Sequence, residues 1–127
     1  MALNILVVDD SALMRSMVTK VLHRSGLEIG EIYHGSNGQE GLHQLEENWI
    51  DLVLIDINMP IMDGIELLEA IRSRPDMRDI PVLMVSAESQ ESRIQYIWSK
   101  GAGFVHKPFT PEKLRDEILK TIGVENG

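Results

Sequence analysis

The sequence predicts an α/β domain of five alternating strand–helix units, (βα)5, with a five-stranded parallel sheet between two layers of helices. Short apolar runs at Ile5–Val8, Ile29–Tyr33, Leu52–Ile55, Val82–Val85 and Gly103–Val105 have the length and flanks of strands. The segments between them carry helical spacing, so strand and helix alternate. Runs apolar at successive positions, such as Leu6-Val7-Val8 and Leu52-Val53-Leu54-Ile55, need cover on both faces. Helices supply that cover in a parallel sheet with right-handed crossovers.

The first strand has no basic stretch before it, and no apolar run is long enough to span a bilayer, which predicts a cytoplasmic protein without membrane insertion. In the first helix Met14, Met17, Val18, Val21 and Leu22 recur at i, i+3, i+4, i+7 and i+8, which assigns all five to the core, and Gly26 ends it. After the second strand, Gly35-Ser36-Asn37-Gly38 lacks the lysine of a phosphate-binding loop and reads as a turn. Trp49, before the third strand, and Trp98, after the fourth, read as packing residues. The helix after the fourth strand opens on Ser89-Gln90-Glu91-Ser92, a polar to acidic start. The last helix starts at Thr110-Pro111, an N-cap with proline at N1, carries Leu114, Ile118 and Ile122 at spacing four, and closes at Gly123. Residues 124–127 are expected to fray.

The 127 residues, 43% hydrophobic and 25% charged, fit one domain over 1–127. With no cysteine, disulfides, thiolate metal sites and cysteine nucleophiles are excluded. Twenty acidic residues against twelve basic give a net charge of −8, which opposes binding to nucleic acid. The basic residues of Arg72–Arg78 and Lys113–Lys120 are interleaved with acids, the pattern of solvated helix faces. His23, His34, His43 and His106 show no paired ligand spacing and read as surface residues.

In open parallel sheets the ligand site lies beyond the C-terminal ends of the strands. Those ends carry Asp9-Asp10, His34-Gly35, Asp56, Ser86 and Lys107-Pro108. Each alone is an ordinary cap or strand exit; together they place three acids, a hydroxyl and an ammonium on one edge. If the first and third strands are neighbours, the carboxylates of Asp9, Asp10 and Asp56 converge, and like charges at ~4 Å with an effective dielectric of about 20 repel by roughly 4 kcal/mol per pair. Lys107 offsets one charge. The remaining all-oxygen donor set suits Mg2+ or Mn2+ rather than zinc. Such an ion, Lys107 and the Ser86 hydroxyl would together neutralise a phosphoryl group on a carboxylate. Asp56 leaves the apolar third strand directly and is the expected nucleophile, with Asp10 as the alternative.

Four motifs carry a resemblance that spans nearly the whole chain: Val7-Val8-Asp9-Asp10-Ser11, Leu54-Ile55-Asp56-Ile57-Asn58-Met59-Pro60-Ile61-Met62-Asp63-Gly64, Val85-Ser86-Ala87-Glu88 and Gly101-Ala102-Gly103-Phe104-Val105-His106-Lys107-Pro108-Phe109. The chain resembles the receiver domains of two-component response regulators, in particular the stand-alone chemotaxis type. That resemblance implies a flavodoxin-like strand order 2-1-3-4-5. It implies that Asp56 accepts a phosphoryl group from a histidine kinase or a small acyl phosphate, with Lys107 on the phosphoryl oxygens. Asp10, Asp56 and the backbone carbonyl of Asn58 would hold Mg2+, with Asp9 acting through a coordinated water. Ser86 and Phe104 would form the switch pair, standing where the chemotaxis type has threonine and tyrosine. Lys107-Pro108 would be a cis peptide, and Asn58 and Glu88 would tune dephosphorylation.

By the same resemblance the chain is a phosphoacceptor that assists its own phosphorylation and dephosphorylation rather than an enzyme. It would signal to a protein target through its fourth helix, fifth strand and fifth helix, as a monomer or weak dimer. Within this reading a phosphorelay carrier and a receiver piece of a transcriptional regulator are the alternatives to a chemotaxis regulator. A Mg2+-dependent phosphatase of the haloacid-dehalogenase type also uses a strand-end aspartate, but wants a second one two residues later, where Asn58 stands. A flavodoxin-like FMN carrier would place its phosphate where Asp9 and Asp10 repel it.

Overall fold

The computed structural model describes residues 2–123, so the expected fraying of 124–127 lies outside the described residues. The elements alternate as read: β1 Leu3–Val8, α1 Ala12–His23, β2 Ile29–Gly35, α2 Gly38–Glu47, β3 Leu52–Ile55, α3 Gly64–Ser73, β4 Val82–Ser86, α4 Glu91–Ser99, β5 Gly103–His106 and α5 Pro111–Thr121. All pairings are parallel and the order is β2-β1-β3-β4-β5, which puts β1 and β3 side by side. Val8 sits opposite Ile55, so the residues that follow them, Asp9 and Asp56, leave the sheet together.

Successive strand residues point to opposite faces, and the core divides accordingly. Leu6, Val8, Val53, Ile55 and Met84 meet Leu45, Leu67, Leu68, Ile71 and Ile97 of α2, α3 and α4. Ile5, Val7, Leu52, Leu54, Leu83 and Val85 meet Val18, Leu22, Leu114 and Ile118 of α1 and α5. Both faces of the sheet are therefore dry at the central strands β3 and β4, which are buried throughout, whereas the edge strand β2 carries exposed Glu31 and His34.

Helix starts are capped by residues at the strand-end edge. Ser11, Asn37 and Thr110 each accept a backbone N–H at N3, and Asp63 and Glu66 form a reciprocal capping box. Gly26 and Gly123 have φ of 83° and 80°, the left-handed geometry that ends α1 and follows α5. No helix among the described residues is long and apolar enough to cross a membrane.

Three apolar assignments are corrected. Met17 is 46% exposed, because the stripe of α1 that meets the sheet is completed by Val18 and Leu22 and leaves Met17 on the rim facing α5. Trp49 is 78% exposed in the loop after α2, its indole N–H donating to Asp51 Oδ1 at 2.9 Å. Trp98 is 59% exposed, since the inward position of α4 is taken by Ile97.

Arg72 is also not simply solvated. From the last turn of α3 its Nε donates to the Lys100 carbonyl at 2.6 Å, and its Nη1 to those of Ile80 and Arg78 at 2.8 and 3.1 Å. One guanidinium thus ties the segment before β4 to the turn before β5. Arg72→Met keeps the aliphatic stem and removes all three bonds. It is expected to lower stability by about 2 to 3 kcal/mol, read from urea denaturation, because bonds from a charged donor are worth about 1.5 to 3 kcal/mol and partial rehydration of the carbonyls returns some of the loss.

Candidate functional site

The site is built by strands that end in register. The Asp9 N–H donates to the Gly35 carbonyl at 3.0 Å and the Asp56 N–H to that of Val8 at 2.9 Å, so both acids still hang on sheet hydrogen bonds. Ser86 closes β4, fully buried, and the Lys107 N–H donates to its carbonyl at 2.8 Å. The Lys107–Pro108 peptide is cis.

Asp9 and Asp56 are buried and Asp10 is exposed, with carboxylate oxygens of all three within 4.8 Å of one another. The Asp9 side chain is held at both oxygens: the Ser11 N–H donates to Oδ1 at 2.8 Å and Lys107 Nζ to Oδ2 at 3.1 Å. Lys107 Nζ also lies 3.7 Å from Asp56 Oδ1. Asp10 makes no side-chain hydrogen bond or ion pair among the described residues. Burial pushes the Asp56 carboxyl above the usual carboxylate range; the Lys107 ammonium opposes that rise and Asp9 adds to it.

This arrangement fits a hard divalent cation. Three oxygen donors converge, one ammonium is shared between two of them, and the third points out unpartnered. Lys107 alone leaves an excess of negative charge, and neither sulfur nor imidazole belongs to the cluster.

The remaining predicted residues sit around this centre. Asn58 is exposed just beyond the buried Ile57. Phe104, half-buried on β5 against the α2–α4 side of the core, lies with its ring centroid 6.2 Å from that of His106. Glu88 is engaged elsewhere: its backbone N–H donates to Ser86 Oγ at 3.4 Å, while its carboxylate accepts from the N–H groups of Ser89 and Gln90 and from Arg93 at 2.8 Å. It thereby holds the two residues that lead into α4, whose own N-cap Gln90 supplies no side-chain bond.

Three features escaped the sequence reading. Arg15 donates from Nη1 to the Asp9 carbonyl. Its place four residues after the cap Ser11, where a helical side chain leans back over the N-terminal turn, is the signal that could have found it. Ile61 stands at φ 71°, exposed, inside a three-residue turn closed by the Met62 N–H on the Pro60 carbonyl at 2.8 Å. For a β-branched residue that backbone is strained. Gly64, the first residue of α3, lies directly against the backbone of Asp56.

A carboxylate cluster at the C-terminal edge of a 2-1-3-4-5 sheet, with a lysine directly after the last strand, defines the class as a flavodoxin-like α/β domain with an acidic site at its strand ends. The model of the response regulator receiver domain family matches residues 5–119. Chemotaxis protein CheY1 of Helicobacter pylori is 32% identical over 126 residues, covering 98% of this chain and all of that protein. The CheY homologue of Campylobacter jejuni is 31% identical, covering 98% of this chain and 96% of its own. Among solved structures, Vibrio cholerae CheY4 superposes with a TM-score of 0.84 at 31% identity, covering 95% of this chain and 99% of that one. CheY in a CheX–CheY–BeF3–Mg2+ complex from Borrelia burgdorferi gives 0.85 at 29% identity, covering 93% and 87%. The chain belongs to the response regulator receiver family, and within it to the CheY-like receivers.

Proposed function

We propose that this receiver is a phosphorylation-controlled switch of a two-component pathway, serving chemotaxis, in which Asp56 is the phosphoacceptor. The observation that carries the proposal is the buried Asp56 carboxylate at a strand end, facing Lys107 and flanked by two further carboxylates. An Asp56 oxygen attacks the phosphorus of a phosphohistidine on a kinase, or of a small acyl phosphate. The P–N or P–O bond to the donor breaks, the leaving group keeps the electron pair, and an acyl phosphate forms on Asp56. A water later attacks that phosphorus, releasing inorganic phosphate and restoring the carboxylate.

Asp9, Asp10, Asp56 and the Asn58 carbonyl would hold Mg2+, or Mn2+ in its place, and the relative solved with BeF3 and Mg2+ supports that choice. The ion supplies charge neutralisation for the phosphoryl oxygens. Lys107 donates to one of those oxygens, and the Ser86 hydroxyl turns toward another. Turning Ser86 affects the Glu88 N–H bonded to its oxygen, and with it the start of α4. Space vacated by Ser86 lets Phe104 move inward, so a local charge event biases the α4–β5–α5 surface toward a protein target. The protein acts as phosphoacceptor rather than as an enzyme on separate substrates, and does so in the cytoplasm.

Incubation with acetyl phosphate tests this. Wild type is expected to label only with Mg2+ present, and Asp56→Asn not at all; equal labelling of the variant would overturn the assignment of the nucleophile.

A further inference from the structure

We infer that Arg15 is a positioning residue for the divalent-cation site, holding the peptide between Asp9 and Asp10 so that the Asp10 carboxylate stays beside those of Asp9 and Asp56. The inference rests on the reading of that cluster as a Mg2+ site. Arg15 is itself anchored in α1: its N–H donates to the Ser11 carbonyl at 3.0 Å and its carbonyl accepts from Thr19 Oγ1 at 2.8 Å. From there the half-buried guanidinium reaches back to the Asp9 carbonyl at 2.5 Å. That carbonyl belongs to the peptide joining the two acids, immediately after the last sheet bond of β1.

The two acids differ in what fixes them. The Asp9 carboxylate is held by the Ser11 N–H and Lys107, so its direction is set without Arg15. Asp10 is exposed and its side chain has no partner among the described residues, so its direction depends on its own backbone. Arg15 is the side chain that grips the peptide entering Asp10, and a rotation of that peptide would swing the Asp10 carboxylate out of the cluster.

Charge and position make opposite predictions. If Arg15 served only to offset the surplus of carboxylates, removing it would tighten divalent binding, because one competing cation is gone. If it positions Asp10, removing it weakens binding, in the way that loss of outer-shell partners usually costs a metal site about 10-fold to 100-fold.

Mg2+ titration of the full chain by calorimetry, with thermal melting in chelator alongside, decides between them. Arg15→Met is expected to bind Mg2+ about 10-fold more weakly than wild type, and Arg15→Lys, which keeps a donor of similar reach, to recover most of that loss. Equal or tighter binding by Arg15→Met overturns the inference, as does a loss that Arg15→Lys leaves undiminished. Should Arg15→Met fail to fold, Arg15→Gln replaces it, with weaker binding supporting the inference and equal or tighter binding overturning it. If wild type itself does not bind Mg2+, the cation reading fails and Arg15's role with it; if wild type binds and the variant matches it, this inference alone fails.

Discussion

Gly64→Ala is expected to lower the stability of the protein by about 3 kcal/mol, the upper end of ordinary overpacking, because the added methyl has nowhere to go. A Cβ at this position would lie 2.2 Å from the Asp56 carbonyl oxygen, 2.8 Å from Ile57 Cα and 2.9 Å from the Asp56 carbonyl carbon. These are backbone atoms at the end of β3, held by the Asp56 N–H on Val8 and by the Gly64 N–H on the Ile57 carbonyl at 2.8 Å. Relief requires α3 to back away from the strand, which strips contacts from Leu67, Leu68 and Ile71, all fully buried. A total stability of about 5 to 15 kcal/mol leaves little margin for such a loss. Gly101→Ala is the control: Gly101 has φ 73° but nothing within 4 Å of its Cβ, so only the backbone cost of about 1 kcal/mol applies. Urea denaturation of both variants is expected to show the Gly64 midpoint falling well below that of Gly101. The reverse order would mean that α3 slides off the strand end at little cost.

The contrast between those glycines shows what the sequence could and could not disclose. The convergence of Asp9, Asp56 and Lys107, with Ser86 at the neighbouring strand end, was legible because the parallel βα repeat puts every strand end on one edge, so locating the apolar runs located the cluster. That β1 adjoins β3 was not in the pattern; the same five strands could be ordered otherwise, and the order entered through resemblance to a family. The core was legible at Val18, Leu22, Leu114 and Ile118, where apolar type and helical spacing agree. It was misread at Met17, Trp49 and Trp98, because an apolar residue is not obliged to be inside. Arg72 and Arg15 were invisible for a different reason. Their partners are backbone carbonyls, at residues 78, 80 and 100 for Arg72 and at residue 9 for Arg15, and a carbonyl leaves no mark in the residue type that carries it. Gly64 belongs with them, since its requirement is set by a close approach to Asp56 across a tight loop.

Lys107→Met is expected to cut the rate of labelling by acetyl phosphate about 100-fold to 1,000-fold at saturating Mg2+, while Mg2+ affinity holds or rises. The kinetic loss has the size seen when one preorganised donor to a developing oxyanion is removed, about 2.7 to 4 kcal/mol. The opposite response of the ion follows from charge: Lys107 Nζ sits 3.1 Å from Asp9 Oδ2 and 3.7 Å from Asp56 Oδ1, so it competes with a cation for the same carboxylates. Its loss also acts on Asp56 directly. Burial already holds that carboxyl above its ordinary value, and the lysine is the opposing influence; without it the raised value rises further. Only the carboxylate is a nucleophile, and bound Mg2+ favours that form in both proteins, so the comparison is made at one Mg2+ concentration. There the residual labelling of Lys107→Met should decline on acidification at a higher pH than that of wild type. Measuring the initial rate against pH for both proteins checks the two effects in one experiment. A variant that labels slowly with an unshifted pH profile would assign Lys107 to the phosphoryl oxygens alone, and one that labels at the wild-type rate would remove it from the chemistry.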